Sequence, residues 1–454
     1  AQGASTLTQQ LVKNVAIEEA GDDPTKVAQA TQQTIGRKIR ELKYAIQLEE
    51  ELGKKKILEN YLNITFFGQQ AYGVEAASQR YFSKHAKDLD LEQSALLAGI
   101  VQSPSRYDPV NDEAEATKRR NTVLQRMAEV GDVSQAEADK AKEQPLGLKV
   151  SKPKNGCITA VKGAGFFCDY VREVFLTDPV FGKTKEDRAK VWNQGGLTIR
   201  TTMDPQAQKS VQKSIKEHVY QKDQVATAAT IVQPGTGKIL AMGQSRPYGI
   251  NNKKNETTLN LSVNQDMGGG AGYQPGSTFK PIVAAAAIEG GTPATKIFPS
   301  PYKMDYPAPV QECNGGVWNE KGVPVTNENT SEVGPYDMKT ATAKSVNTYY
   351  VSLISEIGIC PVTEMAAKMG VERADGGKIQ QRPSIALGTQ EVSPLTMANA
   401  YATFASRGMY CTPVAIESIT QRVGEKSKSL QVPKSTCSRA MSENTADTIN
   451  TLLK

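Results

Sequence analysis

The chain changes its periodicity once, and that change limits the folds open to it. Up to about residue 145 no stretch alternates apolar and polar residues with the two-residue period of a strand. From Thr25 to Asn63 it reads as helix: Ile35, Ile39, Leu42 and Ile46 recur at intervals of four, three and four residues and make one apolar stripe. A second helical stretch, LEQSALLAGIV (91–101), is stopped by Ser103-Pro104-Ser105, and a third runs from Glu113 to Val130. Between about 146 and 225 the texture is mixed, with a strand-like LTIRTT (197–202) and a helix after Asp204-Pro205. From Ala226 the run ATIVQPGTGKILAM gives two short strands around Pro234–Gly237, a hairpin signal. The expected layout is an all-α domain over 1–145, a linker module over 146–225 and an α/β domain over 226–454. A length of 454 residues fits more than one hydrophobic core.

The net charge of +6 is small for this length and does not argue for nucleic acid. No uninterrupted apolar run approaches the roughly 20 residues that span a bilayer; the longest candidate is Ile282 to Ile288. The chain begins at Ala1 without a methionine, so a preceding segment is expected to have been removed or omitted. Six cysteines, 157, 168, 313, 360, 411 and 437, match no CxxC metal or redox spacing. Six thiols allow about fifteen pairings. Pairing of sequence neighbours is the simplest and implies an oxidising compartment, while six free buried thiols is the other reading.

Ser277-Thr278-Phe279-Lys280 places a hydroxyl and an amine three residues apart at a helix start, where such side chains are neighbours. A serine is a poor nucleophile until a base takes its proton, and a lysine becomes that base when burial depresses its pKa. Taken alone, the pattern is more often a serine cap followed by a solvated lysine. Downstream, Ser345-Val346-Asn347 adds a second hydroxyl and an amide suited to relaying a proton and holding a substrate amide. His85 and His218, the two histidines, lie in charged helical surroundings, so a Ser-His-Asp triad is not expected.

SxxK followed by SxN resembles the penicillin-binding proteins and serine β-lactamases. GYQPGSTFKP (272–281) and SIALGTQEVSPLTMANAYATFASRG (384–408) resemble the transpeptidase domain of class A penicillin-binding proteins. QGASTLTQQLVKN (2–14), RKIRELKYAIQLE (37–49), KKKILENYLN (54–63) and LLAGIVQSPSRYDP (96–109) resemble successive motifs of the peptidoglycan glycosyltransferase. The resemblance covers essentially the whole chain, and the cysteine placement further resembles actinobacterial members. It implies a lysozyme-like helical glycosyltransferase domain, a linker, and a transpeptidase domain with a mainly antiparallel sheet flanked by helices. It also places all six cysteines in the exported part of the layout, favouring the disulfides Cys157–Cys168, Cys313–Cys360 and Cys411–Cys437.

The chemistry of the first domain can be weighed from residues too. Moving a sugar from a polyprenyl diphosphate needs positive charge for the departing diphosphate and a carboxylate to deprotonate the acceptor. Arg37, Lys38 and Glu41 lie within about a 100° arc of their helix, turned away from the apolar stripe, as a polar cleft wall would. A solvated face with an i,i+4 ion pair is the plainer reading of a lone helix. By resemblance, Glu41 assists the donor side, while Gln10, Lys13, Asn14, Arg37 and Lys38 contact sugar or diphosphate. Ser277 is then the acylated nucleophile, Lys280 its base, Ser345 the proton relay and Asn347 the amide holder.

Two family motifs are not found in the sequence: EDxxFxxHxG, which carries the general-base glutamate and precedes QGAS, and KTG, which follows the stretch ending at Lys454. A fragment of a longer synthase is therefore expected, with an N-terminal membrane anchor outside it and reduced activity of its own. The expected partners are lipid II, growing glycan strands, stem peptides ending in D-Ala-D-Ala, β-lactams and the cell-wall synthesis machinery, at the extracytoplasmic membrane face. No cofactor is required by this chemistry, although a divalent cation aiding glycosyl transfer is compatible with it. The alternatives are a DD-carboxypeptidase or β-lactamase, against which the four N-terminal motifs speak, and a catalytically inactive scaffold, against which the intact Ser277, Lys280, Ser345 and Asn347 speak.

Overall fold

A computed structural model describes residues 5–20, 24–32, 34–151, 156–161, 163–423 and 426–454. Gln2, Gly3 and Ala4 of the first glycosyltransferase-like motif lie outside the described residues. The chain forms two compact units, Ala1–Lys154 and Asn155–Lys454.

The first unit is helical: α1 (Leu7–Ala20), α2 (Pro24–Thr31), α3 (Ile35–Glu51), α4 (Lys54–Ile64), α5 (Val74–Phe82), α6 (Leu91–Ile100), α7 (Glu113–Glu129) and α8 (Gln135–Glu143). The stretch 25–63, read from sequence as continuous helix, is broken twice. One helix ends at Thr31, and Thr34 caps the next, its hydroxyl accepting from Arg37 N. Gly53 opens α4. One core gathers Phe67, Tyr81, Phe82, Leu96 and Ile100, and a smaller one joins Leu11 of α1 to Ile57 and Tyr61 of α4.

An apolar stripe ordinarily faces the core, but in α3 the faces are reversed. Ile35, Ile39, Leu42 and Ile46 are 82%, 63%, 48% and 53% exposed, whereas Glu41 and Ala45 are each 4% exposed. The side that α3 turns to α1 and α4 is the one carrying Arg37, Glu41, Ala45 and Leu48.

The second unit mixes α9 (Gly165–Thr177), α10 (Lys185–Gln194), α11 (Pro205–His218), α12 (Lys280–Glu289), α13 (Met338–Ala343), α14 (Asn347–Ile357), α15 (Ile359–Lys368), α16 (Pro394–Ala405) and α17 (Glu443–Leu452) with short strands. The strands are β1 (Leu197–Thr201), β2 (Ala228–Val232), β3 (Ile239–Gln244), β4 (Lys303–Asp305), β5 (Val310–Gln311), β6 (Val317–Trp318), β7 (Pro324–Thr326), β8 (Met409–Cys411), β9 (Ile416–Val423), β10 (Lys426–Leu430) and β11 (Cys437–Arg439). They pair antiparallel as one three-stranded sheet, β1-β9-β10, and as the ribbons β2-β3, β4-β7, β5-β6 and β8-β11. The hairpin read around Pro234 is β2-β3, with Ala228 opposite Gln244. The segment read as a linker module, 146–225, is divided: its first residues, up to 154, belong to the first unit, and the rest belongs to this one, where its β1 shares a sheet with β9.

Helix α12 sets the architecture of this unit. Ile282 to Ala287 are all 4% exposed or less, as expected of a helix that is apolar on every side. Four consecutive alanines let α14, α15 and α17 pack closely around it, bringing Tyr349, Tyr350, Leu353 and Ile354 against it. Burying Ile282 and Val283 completely contributes about 1.5–3 kcal/mol each. Disulfides join Cys157 to Cys168, Cys313 to Cys360 and Cys411 to Cys437. The last of these spans directly paired residues of β8 and β11.

Candidate active sites

Burial of α12 pulls its first residue inward with it. Lys280 is 2% exposed, yet it carries an amine that must be hydrogen-bonded. Three acceptors meet Nζ: Ser345 O at 2.6 Å, Ser345 Oγ at 3.1 Å and Asn347 Oδ1 at 2.7 Å. The Tyr350 ring lies 5.6 Å from the same nitrogen. Desolvation lowers the Lys280 pKa to about 8, against the opposing pull of the Glu328 and Glu332 carboxylates. A lysine so placed exchanges its proton near neutral pH, as a general base must.

Ser277 lies one turn before Lys280, in a 3-10 turn over Gly276–Phe279 that runs into α12. It is exposed, and its hydroxyl has no hydrogen-bond partner among the described residues. The turn is held from two sides. Gly276 N donates to Gly388 O at 3.2 Å, and the Tyr401 hydroxyl donates to Thr278 O at 3.0 Å. Gly388 adopts φ +67°, and a Cβ there would stand 2.1 Å from Gly276 O, so only glycine permits this approach.

Ser345 ends the turn after α13 in a left-handed conformation, φ +54°, while Val346 N donates back to Ala341 O. That reversal aims the Ser345 hydroxyl and the first residue of α14, Asn347, at Lys280. Because Ser345 Oγ accepts from Lys280, its own proton is free to be given away. Asn347 spends Oδ1 on Lys280 and one N–H on Thr326 O at 2.8 Å, leaving one N–H for a ligand. The structure thus brings Lys280, Ser345 and Asn347 into one hydrogen-bonded cluster and sets Ser277 a turn away at the surface.

In the first unit, a groove of about 370 Å³ is lined by Lys13, Lys26, Arg37 and Arg40, with the carboxylates of Glu19 and Glu41. Glu41 is buried between two cations: Arg37 Nη1 pairs with Oε1, and Lys38 Nζ donates to Oε2 at 2.7 Å. Lys38 also reaches Ser5 Oγ at 2.8 Å. Loss of surrounding water, then the positive charges of Arg37 and Lys13, hold the Lys38 pKa below the ordinary lysine value. A groove with this cation excess suits a phosphorylated ligand. Gln10 and Asn14 are engaged elsewhere, Gln10 accepting from the Tyr61 hydroxyl at 3.3 Å and Asn14 donating to Thr65 Oγ1 at 3.4 Å. Both bonds tie α1 to α4 and its C-terminal end.

Several residues around Lys280 carry no sequence signal of their own: Asn327, Glu328, Glu332 and Tyr350. Each comes from a segment distant from SxxK, and only the folded chain brings it there. Gly388 and Tyr401 were within reach of sequence, since both stand in the 384–408 motif. Both histidines are exposed, His85 bonded to Glu75 at 2.8 Å and His218 to Ser214 O at 2.7 Å, away from both sites.

Comparison with known proteins adds to this geometry. Residues 1–128 match the family described as Transglycosylase, and residues 227–454 match the Penicillin binding protein transpeptidase domain. The chain is 32% identical over 424 residues to Penicillin-binding protein 2D of Bacillus subtilis, an alignment covering 93% of this chain and 55% of that protein. It is 30% identical over 468 residues to Penicillin-binding protein 1A of Streptococcus pneumoniae, covering 100% of this chain and 58% of the relative. Its fold resembles the crystal structure of Penicillin-binding protein 1A from Haemophilus influenzae, with a TM-score of 0.58 at 19% identity over 100% of this chain and 76% of the other. The chain spans a little over half the length of these two curated relatives.

Proposed function

The chain belongs to the class A penicillin-binding proteins, and we propose that it serves peptidoglycan synthesis, polymerising glycan from lipid II and cross-linking stem peptides through an acyl-enzyme on Ser277. The observation that carries the cross-linking half is the buried amine of Lys280, three times hydrogen-bonded and with its pKa lowered to about 8, one turn from a serine hydroxyl that has no hydrogen-bond partner among the described residues. In this reading neutral Lys280 takes the Ser277 proton as Oγ attacks the carbonyl of the penultimate D-alanine. Ser345 then passes a proton to the departing amine, the C–N bond breaks, and terminal D-alanine leaves. An acceptor amine from a second stem peptide restores the serine. The free N–H of Asn347 holds the donor's amide carbonyl. A β-lactam enters the same path, but its opened ring keeps the leaving group attached.

The cationic groove of the first unit supports the polymerising half. Lys13, Arg37 and Lys38 would neutralise the departing diphosphate, and Glu41, fixed between two of them, would hold the donor side in register. Gln10 and Asn14 would meet sugar only by exchanging their present bonds to α4 and Thr65. With a substrate diphosphate beside Glu19, the groove would also be compatible with a divalent cation aiding transfer. Three disulfides support an oxidising compartment, hence the extracytoplasmic face of the plasma membrane. Among the described residues no helix is long and apolar enough to cross a membrane. Cell-wall synthesis proteins are the partners this reading expects.

The test is intact mass spectrometry of the full-length protein after exposure to penicillin. Wild type should gain the mass of one penicillin, and Ser277→Ala should gain none while remaining folded. An adduct persisting on folded Ser277→Ala overturns the assignment of the nucleophile.

A further inference from the structure

Helix α14 carries Asn347 in its first position but lacks a cap of its own. Val346 stands at its N-cap and has no side-chain oxygen to accept from the first-turn N–H groups. A buried helix start with unpaired donors would be costly, and here the missing acceptor arrives from 21 residues upstream. Asn327 Oδ1 accepts from Thr348 N at 3.0 Å and from Thr348 Oγ1 at 3.1 Å. Its Nδ2 donates to Glu332 O at 2.7 Å and to Pro301 O at 3.3 Å. Asn327 is 3% exposed, and all four hydrogen-bonding positions of its amide are used.

The neighbouring residue completes the attachment. Thr326 O accepts from Asn347 Nδ2 at 2.8 Å, so the last residue of β7 and the residue after it grip two consecutive residues at the start of α14. Asn347 Oδ1 can therefore point only where this grip leaves it, which is at Lys280 Nζ, 2.7 Å away.

Building on the proposed acyl-transfer function, we infer that Asn327 is a positioning residue: it caps α14 from β7 and thereby sets the Asn347 side chain that orients the Lys280 amine toward Ser277. It touches neither the amine nor the serine and acts only through Asn347. A residue that merely supported the fold would change how much protein is competent; one that aims the base would change how fast each competent molecule reacts.

The experiment is stopped-flow acylation of the full-length protein by a fluorescent penicillin, giving the maximal rate, the half-saturating concentration and the labelled fraction. Asn327→Ala should lower the maximal rate about 10- to 100-fold, with the labelled fraction still near one per molecule. Thr348→Val, which keeps the shape and the backbone N–H but deletes the hydroxyl bond to Asn327, should lower it about two- to fivefold. It serves also if Asn327→Ala fails to fold. In an Asn347→Ala background both substitutions should have less than about a twofold further effect, since the path they act through is gone. Equal factors in both backgrounds, or a reduced labelled fraction at unchanged rate, overturn the inference. If wild type forms no adduct at all, the acyl-transfer reading fails and takes this inference with it; a wild-type adduct with additive variants sinks this inference alone.

Discussion

Lys280 Nζ and Asn347 Oδ1 lie 2.7 Å apart, linking the first residue of the buried α12 to the first residue of α14. The contact favours the charged amine, yet burial outweighs it and brings the pKa to about 8. The rate of penicillin acylation should therefore rise with pH through a midpoint near 8, not near the ordinary lysine value, because only the neutral amine accepts the Ser277 proton. Glu328→Gln and Glu332→Gln each remove a carboxylate that favours the charged form, so each should move the midpoint to lower pH. Stability carries the matching sign. The unfolded chain keeps the lysine proton to higher pH than the folded one, so this group costs stability fully below about 8 and the cost fades as pH rises toward the ordinary lysine value. A pH–rate profile that stays flat across this range would remove Lys280 from the role of base.

Glu41 gives the second prediction. Its carboxylate is clamped by Arg37 and Lys38 and is buried, so Glu41→Gln keeps the volume but deletes the charge that holds both cations in place. In the full-length protein, polymerisation of lipid II should fall about 100-fold or more for Glu41→Gln, and strongly for Lys13→Ala. Labelling by penicillin should be unaffected in both. Polymerisation near wild type in either variant would show that the groove is not where the diphosphate departs.

The reversed faces of α3 make a third prediction about stability alone. Ile39 is 63% exposed, so Ile39→Ser should change the unfolding free energy of the protein by no more than about 0.5 kcal/mol. Leu11→Ala, which empties a site only 3% exposed between α1 and α4, should cost about 2–5 kcal/mol. Comparable losses in thermal unfolding would place the isoleucine stripe in the core after all.

The stripe also shows what sequence could and could not convey. Periodicity identified Ile35, Ile39, Leu42 and Ile46 as one face and Arg37, Lys38 and Glu41 as another, and both groupings hold. It could not say which face meets the rest of the protein, because that depends on the partner: Leu11 of α1 and Ile57 and Tyr61 of α4 supply the hydrophobic contact, while the charged groove is lined by residues of α1, α2 and α3. The breaks at Thr34 and Gly53 were written in the sequence as a cap residue and a glycine, on either side of the Ile35–Ile46 stripe, but a single helical reading of 25–63 passed over both. In the second unit the residue pairs of SxxK and SxN were legible because a local motif carries each. Asn327 was not, since its bonds are to groups remote in sequence: it accepts from Thr348 N in a helix that begins 20 residues later and donates to Pro301 O, 26 residues earlier.

The last prediction concerns Gly388, whose Cβ position lies 2.1 Å from Gly276 O and 2.6 Å from Gly276 N, both backbone atoms beside Ser277. A methyl group there cannot be absorbed by a side-chain rotation, so Gly388→Ala must push the nucleophile's turn off its bond to residue 388. The direct cost is about 1–3 kcal/mol of stability from the forced contact, with about 1–2 kcal/mol more for an alanine in the left-handed region. Gly376→Ala provides the comparison: it has φ +81° and nothing within 4 Å of the added carbon, so it bears the conformational cost without the collision. Acylation of Gly388→Ala should be slowed at least tenfold because the turn sets the line of attack of Ser277, whereas Gly376→Ala should label at the wild-type rate. Stopped-flow labelling of both variants at a temperature where each is folded separates the two contributions. Equal slowing in the two would mean that a strained backbone, and not the approach of residue 388 to Gly276, governs the nucleophile.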